Sequence, residues 1–211
     1  MEQRLNIAPT KSNLLDLRQR VRFLDQGYQL LERKREMLTR LVYSRLKQYR
    51  ELRGDAHEKL RQAYRSLSIA QMRMGARRIR QLALGIPLAM DVRILPRRNM
   101  GVQYPSVEID ELPLHPLGLL GTDAMLDETR RSFADMASTM ARLAEVESAL
   151  WRLLEEQRKT QKRVNALKYN VIPKFERTIR YIESSIEEEE RNVLFQLKVL
   201  QEQQANSAPR S

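Results

Sequence analysis

The chain has few side chains suited to covalent or metal chemistry. Its 211 residues include no cysteine, which excludes disulfides, cysteine-ligated zinc sites and thiol nucleophiles. The two histidines, His57 and His115, are far apart in sequence and cannot form a metal site by themselves. Composition alone leaves a Ser-His-Asp triad open, but the GxSxG elbow, the GxxxxGK and GxGxxG phosphate loops and the HExxH zinc motif are all absent. We therefore expect a protein that is not an enzyme and has no catalytic, cofactor-binding or metal-binding residues.

The densest acidic cluster is the run Glu187-Glu188-Glu189-Glu190, which falls in a segment with helical spacing. Successive side chains of a helix point in different directions around its axis, so these carboxylates do not converge on one ion. We interpret the run as a solvated helix face rather than a metal site.

The formal net charge of +11 favours an acidic partner: nucleic acid, anionic lipid or an acidic protein surface. The basic residues are spread among acidic ones along the whole chain, without the aromatic interleaving typical of nucleic-acid sites. This pattern favours a protein partner, with a basic coiled-coil scaffold or a nucleic-acid-binding protein as alternatives. No run of about 18 uncharged apolar residues occurs and the first residues lack a signal-peptide core, so we expect no membrane span and a cytoplasmic protein.

Residues 14 to about 53 repeat apolar side chains at alternating steps of three and four, which places one narrow stripe on a helix. Pro9 with Thr10 or Ser12 is typical of the start of such a helix. A second helix or a bent continuation then reaches about Leu84, where Gly85-Ile86-Pro87 ends it. The predicted seam residues of the first helix are Leu14, Leu17, Val21, Leu24, Tyr28, Leu31, Leu38 and Val42.

Arg35 and Arg45 occupy inward positions of this stripe. Their long side chains either reach past the seam into water or meet acidic groups across the coil and set its register. Glu147 and Glu155 are the candidate partners in the second case.

Residues 86–126 change to alternating apolar and polar side chains, separated by turn-forming residues around Pro96–Gly101, Pro105-Ser106 and Pro113. Two or three short strands fit this pattern. The segment is too short for an enzyme domain, and we interpret it as a small head inserted between long helices.

From Leu126 to about Gln203 the spacing is again helical, but the apolar register shifts by one residue near Pro173. Such a stutter locally unwinds a left-handed coil, and a proline inside a helix favours a kink. The predicted seam residues here are Val164, Val171, Phe175, Ile179, Ile182, Ile186, Val193 and Leu200.

Two long stripes at opposite ends of the chain predict a mainly α fold, because pairing removes both from water. We expect a long antiparallel two-helix coiled coil with a small helical and β-hairpin head; a parallel homodimer is the alternative. The predicted divisions are 1–85 for the first helices, 86–126 for the head, and 127–211 for the last helix and a short flexible tail.

Two segments resemble the D subunit of the V/A-type rotary ATPases: RVRFLDQGYQLLERKREMLTRLV and KRVNALKYNVIPKFERTIRYIESSIEEEERNVLFQLKVLQ. The most specific matching motifs are Arg163-Val164-Asn165-Ala166-Leu167, Val171-Ile172-Pro173 and Thr178-Ile179-x-Tyr181-Ile182. The two terminal helices that carry the resemblance cover roughly half of the chain, and the head adds no specific motif to it.

The resemblance implies a central-stalk rotor subunit that couples ATP synthesis or hydrolysis to proton or sodium-ion transport. In that family the paired termini insert into a hexamer of catalytic A and regulatory B subunits. The other end binds the small F subunit and a funnel-shaped subunit that leads to the membrane rotor ring. It further implies a peripheral position on the cytoplasmic side of the membrane, no nucleic-acid partner, and no ATP site in this chain. On the terminal motifs, we expect hexamer contacts at Lys11, Lys34, Arg35, Arg163, Arg191 and Lys198.

Overall fold

The computed structural model describes residues 5–115 and 122–207, except for the side chains of 203–207. The elements are α1 (Lys11–Met74), α2 (Ala76–Ala83), β1 (Met90–Asn99), β2 (Val102–Glu111), α3 (Ala124–Ala166), a π-helical segment (Leu167–Val171) and α4 (Ile172–Ser207). The fold is mainly α, with one two-stranded antiparallel hairpin between long helices, as predicted. Among the described residues no helix combines the length and apolarity needed to cross a bilayer.

Contacts between residues group the chain into two compact units. The first unit consists of Met1–Arg35 and Lys159–Ser211, and the second of Glu36–Arg158. The predicted boundaries of the head, at 85/86 and 126/127, rest on sequence composition and are not tested by this division into two units. They stay predictions.

In the first unit, α1 begins where its sequence signals placed it. The Thr10 hydroxyl oxygen accepts a hydrogen bond from the Asn13 backbone N–H (3.3 Å), and the Thr10 carbonyl accepts the first helical bond from Leu14 (3.0 Å). The Asn13 side chain also donates to the Ala8 carbonyl (2.9 Å). Thr10 is thus the N-cap, which satisfies a backbone donor that would otherwise have no partner in the first turn.

The helices of the first unit pair antiparallel within one chain. Lys11 forms an ion pair with Glu190 (2.7 Å), and Arg18 forms one with Glu183 (2.6 Å). Partner numbers therefore fall as α1 numbers rise. This is the predicted antiparallel helix pair within one chain. Because the two stripes bury each other, a parallel homodimer is not required to bury them.

A short extended segment, residues 5–10, lies along α4. The Leu5 backbone N–H donates to the Thr178 hydroxyl oxygen (3.2 Å), whereas Lys11 lies beside Glu190. The segment therefore runs in the same direction as α4 before the chain reverses into α1. Since Thr178 is fully buried and its hydroxyl donates to the Lys174 carbonyl (2.8 Å), the segment covers a polar position of the helix pair.

The register shift near Pro173 corresponds to a π-helical turn. The Ile172 N–H donates to the Leu167 carbonyl, five residues earlier, so this turn holds one residue more than an α-helical turn. The extra residue accounts for the one-residue shift of the apolar stripe. The wide turn lies immediately before Pro173, whose ring would clash with a standard preceding turn. The kink that the sequence predicts here stays a prediction.

In the second unit α1 passes through Gly54 without a break and ends before Gly75, which has a positive φ of 83°. The hairpin turn is Met100-Gly101, with φ of 51° and 79°. Two consecutive positive φ angles are typical of the type I′ turn, whose twist matches that of paired strands. The predicted turns at Pro96 and Pro105 are wrong, because these two residues face each other within the paired strands. Of the first predicted turn, Pro96–Gly101, only Met100-Gly101 forms a turn.

The hairpin packs through one face of β2 against the helices of the second unit. Val102 joins Leu38 and Leu153 in a buried apolar cluster, and Tyr104 and Ser106 are buried on the same face. The Ser106 hydroxyl donates to Glu145 on α3 (3.1 Å). Alternate residues of one strand thus hold the hairpin to α1 and α3.

Deleting Asn170 removes one residue from the π-helical segment, so the turn can close as an α-helix. Pro173 would then lie inside an ordinary helix, where proline costs about 3 kcal/mol or more. We expect the deletion alone to lower the free energy of unfolding by roughly this amount, and its combination with Pro173→Ala to restore most of the loss. Urea unfolding followed by circular dichroism measures both.

Pro173→Ala alone is the control and should change stability far less than the deletion. If the deletion is equally damaging with proline or alanine at position 173, the wide turn does not serve to accommodate the proline.

Candidate partner-binding surfaces

The predicted seam residues differ in burial along the helices. Four of them are buried: Leu17, Leu38, Val164 and Ile182. Ten are half-buried: Leu14, Val21, Leu24, Tyr28, Leu31, Val42, Val171, Phe175, Ile179 and Ile186. Val193 and Leu200 are exposed, because α1 begins at Lys11, opposite Glu190, and offers little helix to the part of α4 that follows.

Apolar periodicity missed two fully buried threonines, Thr160 and Thr178. A threonine hydroxyl can bond to a carbonyl of its own helix, as Thr178 does to Lys174, so it enters a seam without an unpaired polar atom. Their distance along the sequence from predicted seam residues could have identified both threonines. Thr160 lies four residues before Val164, and Thr178 four residues before Ile182.

The inward arginines have polar and aromatic partners. Arg35 is half-buried and bonds to Glu32 (2.5 Å) and to Gln161 on α3 (3.2 Å). Arg45 bonds to Gln48 (3.0 Å), and its guanidinium lies 5.9 Å from the centre of the Tyr104 ring. Arg45 therefore faces the hairpin, a contact that sequence reasoning did not anticipate.

The other predicted contact residues lie at the surface of the first unit, where they are accessible to a partner, apart from Lys34, which is half-buried. The Lys11 ammonium is exposed, and its hydrogen bond and charge interaction with Glu190 raise the pKa of Lys11 above its usual value. Arg191 lies near Glu187 (3.6 Å) on the same helix. Arg163 and Lys198 are exposed on α3 and α4.

The second half of α4 exposes an unusual amount of apolar surface. We call this part the α4 tip; its five large apolar side chains are each more than half exposed: Val193, Leu194, Phe195, Leu197 and Leu200. Arg191 and Lys198 add positive charge to it. Contiguous exposed apolar side chains beside charged ones are typical of protein–protein contact sites.

A second apolar surface lies on the hairpin, on the face opposite the one that packs on the helices. Val92 pairs with Ile109, and Ile94 pairs with Val107, which forms a cross-strand ladder of β-branched side chains. Ile94 is 69% exposed. At the open end of the hairpin, an ion pair with Asp110 raises the pKa of Arg93.

The apolar surfaces of the α4 tip and the hairpin are suited to binding a protein partner. Within the described residues, no three acidic, histidine or cysteine side chains form a group that could hold a metal ion. The two histidines belong to different parts of the fold: His57 is exposed on α1, and His115 follows β2. What the arrangement offers is helix faces, apolar patches and scattered charge.

A model of the family described as the D subunit of ATP synthase matches residues 13–202 of the chain. The D subunit of the V-type ATP synthase of Thermotoga neapolitana is 37% identical over 202 residues, which cover 95% of this chain and 100% of the relative. The D subunits of the A-type ATP synthases of Pyrococcus horikoshii and Pyrococcus furiosus are 35% and 33% identical, with 94% of each chain covered. The long helices, the inserted hairpin and these similarities agree: the chain belongs to the family of ATP synthase D subunits.

Proposed function

We propose that this chain is the central-stalk D subunit of a V/A-type ATPase or ATP synthase. It couples ATP synthesis or hydrolysis in a catalytic hexamer to proton or sodium-ion transport and is not itself catalytic. Membership of the D-subunit family supports this function. The observation in the fold that carries it is the antiparallel helix pair of the first unit, whose α4 tip extends apolar side chains past the start of α1.

The helix pair has the mechanical properties that a rotor needs. Two helices linked by buried side chains and by cross-helix ion pairs at Lys11 and Arg18 resist bending better than one helix does. Contacts with a surrounding ring must form and break during each turn. Exposed ion pairs of ~0–1 kcal/mol each meet that requirement. Ring and rotor then bias each other's conformations through contacts that differ between states.

The proposed partners follow from the family resemblance. The A and B subunits of the hexamer would contact the first unit, including the exposed Lys11, Arg163, Arg191 and Lys198 and the half-buried Lys34 and Arg35. The small F subunit and a funnel-shaped subunit that leads to the membrane rotor ring would contact the second unit. On this proposal the chain takes a peripheral position on the cytoplasmic side of the membrane.

The α4 tip provides the sharper test of hexamer binding. We expect replacement of Leu194, Phe195, Leu197 and Leu200 by glutamine to weaken binding to the purified A–B hexamer at least tenfold and to reduce ATP-driven rotation. Because these side chains are exposed, the free chain should unfold within a few degrees of the original temperature. Calorimetric titration and single-molecule rotation measure the two effects.

The matched control replaces Leu84 and Leu88 of the second unit, which are even more exposed, by glutamine. Hexamer affinity should not change in this control. Deletion of 193–203 extends the test, and undiminished ATP-driven rotation after that deletion would rule out a role of the tip in torque transmission.

The hairpin offers a separate test, because we propose that its outer face serves regulation or coupling, while its inner face packs on the helices. Val92→Thr with Ile94→Thr removes apolar surface from the outer face while keeping β-branched side chains. In the assembled complex we expect ATP hydrolysis per ion transported to change severalfold, with assembly intact. Normal coupling in a variant without the hairpin would refute the proposal.

A further inference from the structure

The second unit contains an apolar cavity of about 430 Å³ between α1, α2 and α3. Its lining includes Leu67 from α1, Ile79 from α2, Met90 at the start of β1 and Phe133 from α3. The volume lies within the range of about 300–1,000 Å³ that is typical of ligand sites in proteins. None of the surfaces proposed above uses this cavity.

Among the described residues that line the cavity, one is charged: Arg130 of α3, which is only 9% exposed. Its Nη1 atom donates to the His115 carbonyl (3.0 Å) and to Asp127 (3.3 Å). Its Nε and Nη2 atoms are buried and have no hydrogen-bond partner among the described residues. A buried donor without a partner costs about 1–3 kcal/mol, and more when the group is charged.

The two unpartnered atoms form one edge of the guanidinium. Nε–H and the neighbouring Nη2–H point the same way, and this parallel pair matches the two oxygens of a carboxylate. Because Arg130 lines the cavity, a modest rotation of the guanidinium presents this edge to a group inside. An apolar cavity with such an edge selects a carboxylate that is carried among apolar groups.

The surroundings of the cavity favour a protein as the carrier of that carboxylate. Leu84 and Leu88, which flank the lining residues Ile86 and Ala83 in sequence, are each more than four-fifths exposed. They extend the apolar surface beyond what a small ligand occupying the cavity would cover. The exposed arginines of α2 add positive charge beside it, which favours an acidic partner; they are Arg77, Arg78 and Arg80.

We propose that this cavity is a docking site for an apolar segment of a partner protein. An Asp or Glu within that segment binds the free edge of Arg130. Docking turns the guanidinium edge toward the cavity, satisfies the two N–H donors, and buries Leu84 and Leu88. The site lies apart from the α4 tip and the hairpin face. It rests on the proposed function in so far as its test uses the assembled complex, and failure of that function would show separately as loss of assembly.

The test places the photoreactive residue p-benzoylphenylalanine at position 84, at the exposed rim, in the full chain within the assembled complex. Irradiation followed by mass spectrometry of the cross-linked peptides identifies the occupant. We expect a peptide from another protein with an Asp or Glu next to apolar residues. Arg130→Met should reduce this product at least tenfold, and Arg130→Lys, which keeps the charge but loses the paired donors, should reduce it less.

Arg131→Met is the matched control, since this neighbouring arginine is exposed, and it should leave the product unchanged. Ala137→Leu fills the cavity while keeping Arg130, and it should also abolish the product, which guards against misfolding of the Arg130 variants. Cross-links to residues 116–121 of the same chain, to lipid, to a second copy, or to a peptide without an acidic residue would overturn the proposal. An unchanged product in Arg130→Met would overturn it as well.

Discussion

The first unit depends on burying one narrow stripe per helix, because neither helix has a second hydrophobic face on which to form a wider core. A pair of helices buries much less surface per residue than a globular domain. Only a few side chains, such as Leu17, Val164 and Ile182, leave water almost completely. The remaining stabilisation comes from half-buried side chains and from ion pairs across the helices, which are individually weak. Stability is therefore distributed along the pair rather than concentrated at one point.

Polar and small residues make so thin a seam workable. In the first unit Thr160 and Thr178 are buried completely, and Thr178 bonds to its own helix. In the second unit Ala56, Ala63 and Ala70 are buried at a seven-residue spacing, so that stretch of α1 presents small side chains on its inner face. Each device lets helices pair without large apolar side chains.

Sequence pattern predicted the features that follow from local chemistry. The start of α1 at Thr10 or Ser12, the heptad stripes and the hairpin between the long helices each have a signature within a few residues. In the sequence the π-helical turn was visible only as a one-residue shift of the apolar register. The spacing of apolar residues does not distinguish a kinked helix from a widened turn. The turn at Met100-Gly101 was overlooked in favour of prolines that the paired strands accommodate. The Arg130 cavity had no signature, since its lining comes from four separate elements.

The exposed apolar side chains carry the argument from fold to assembly. A free monomer gains nothing from placing Phe195 or Leu88 in water, where contiguous apolar surface promotes association. The net charge of +11 opposes unspecific association between copies, because like charges repel. Oppositely charged partners feel no such repulsion. The combination of like-charge repulsion with exposed apolar surface in both units therefore favours association with oppositely charged partners over self-association. It is the balance expected of a subunit that functions within a larger complex.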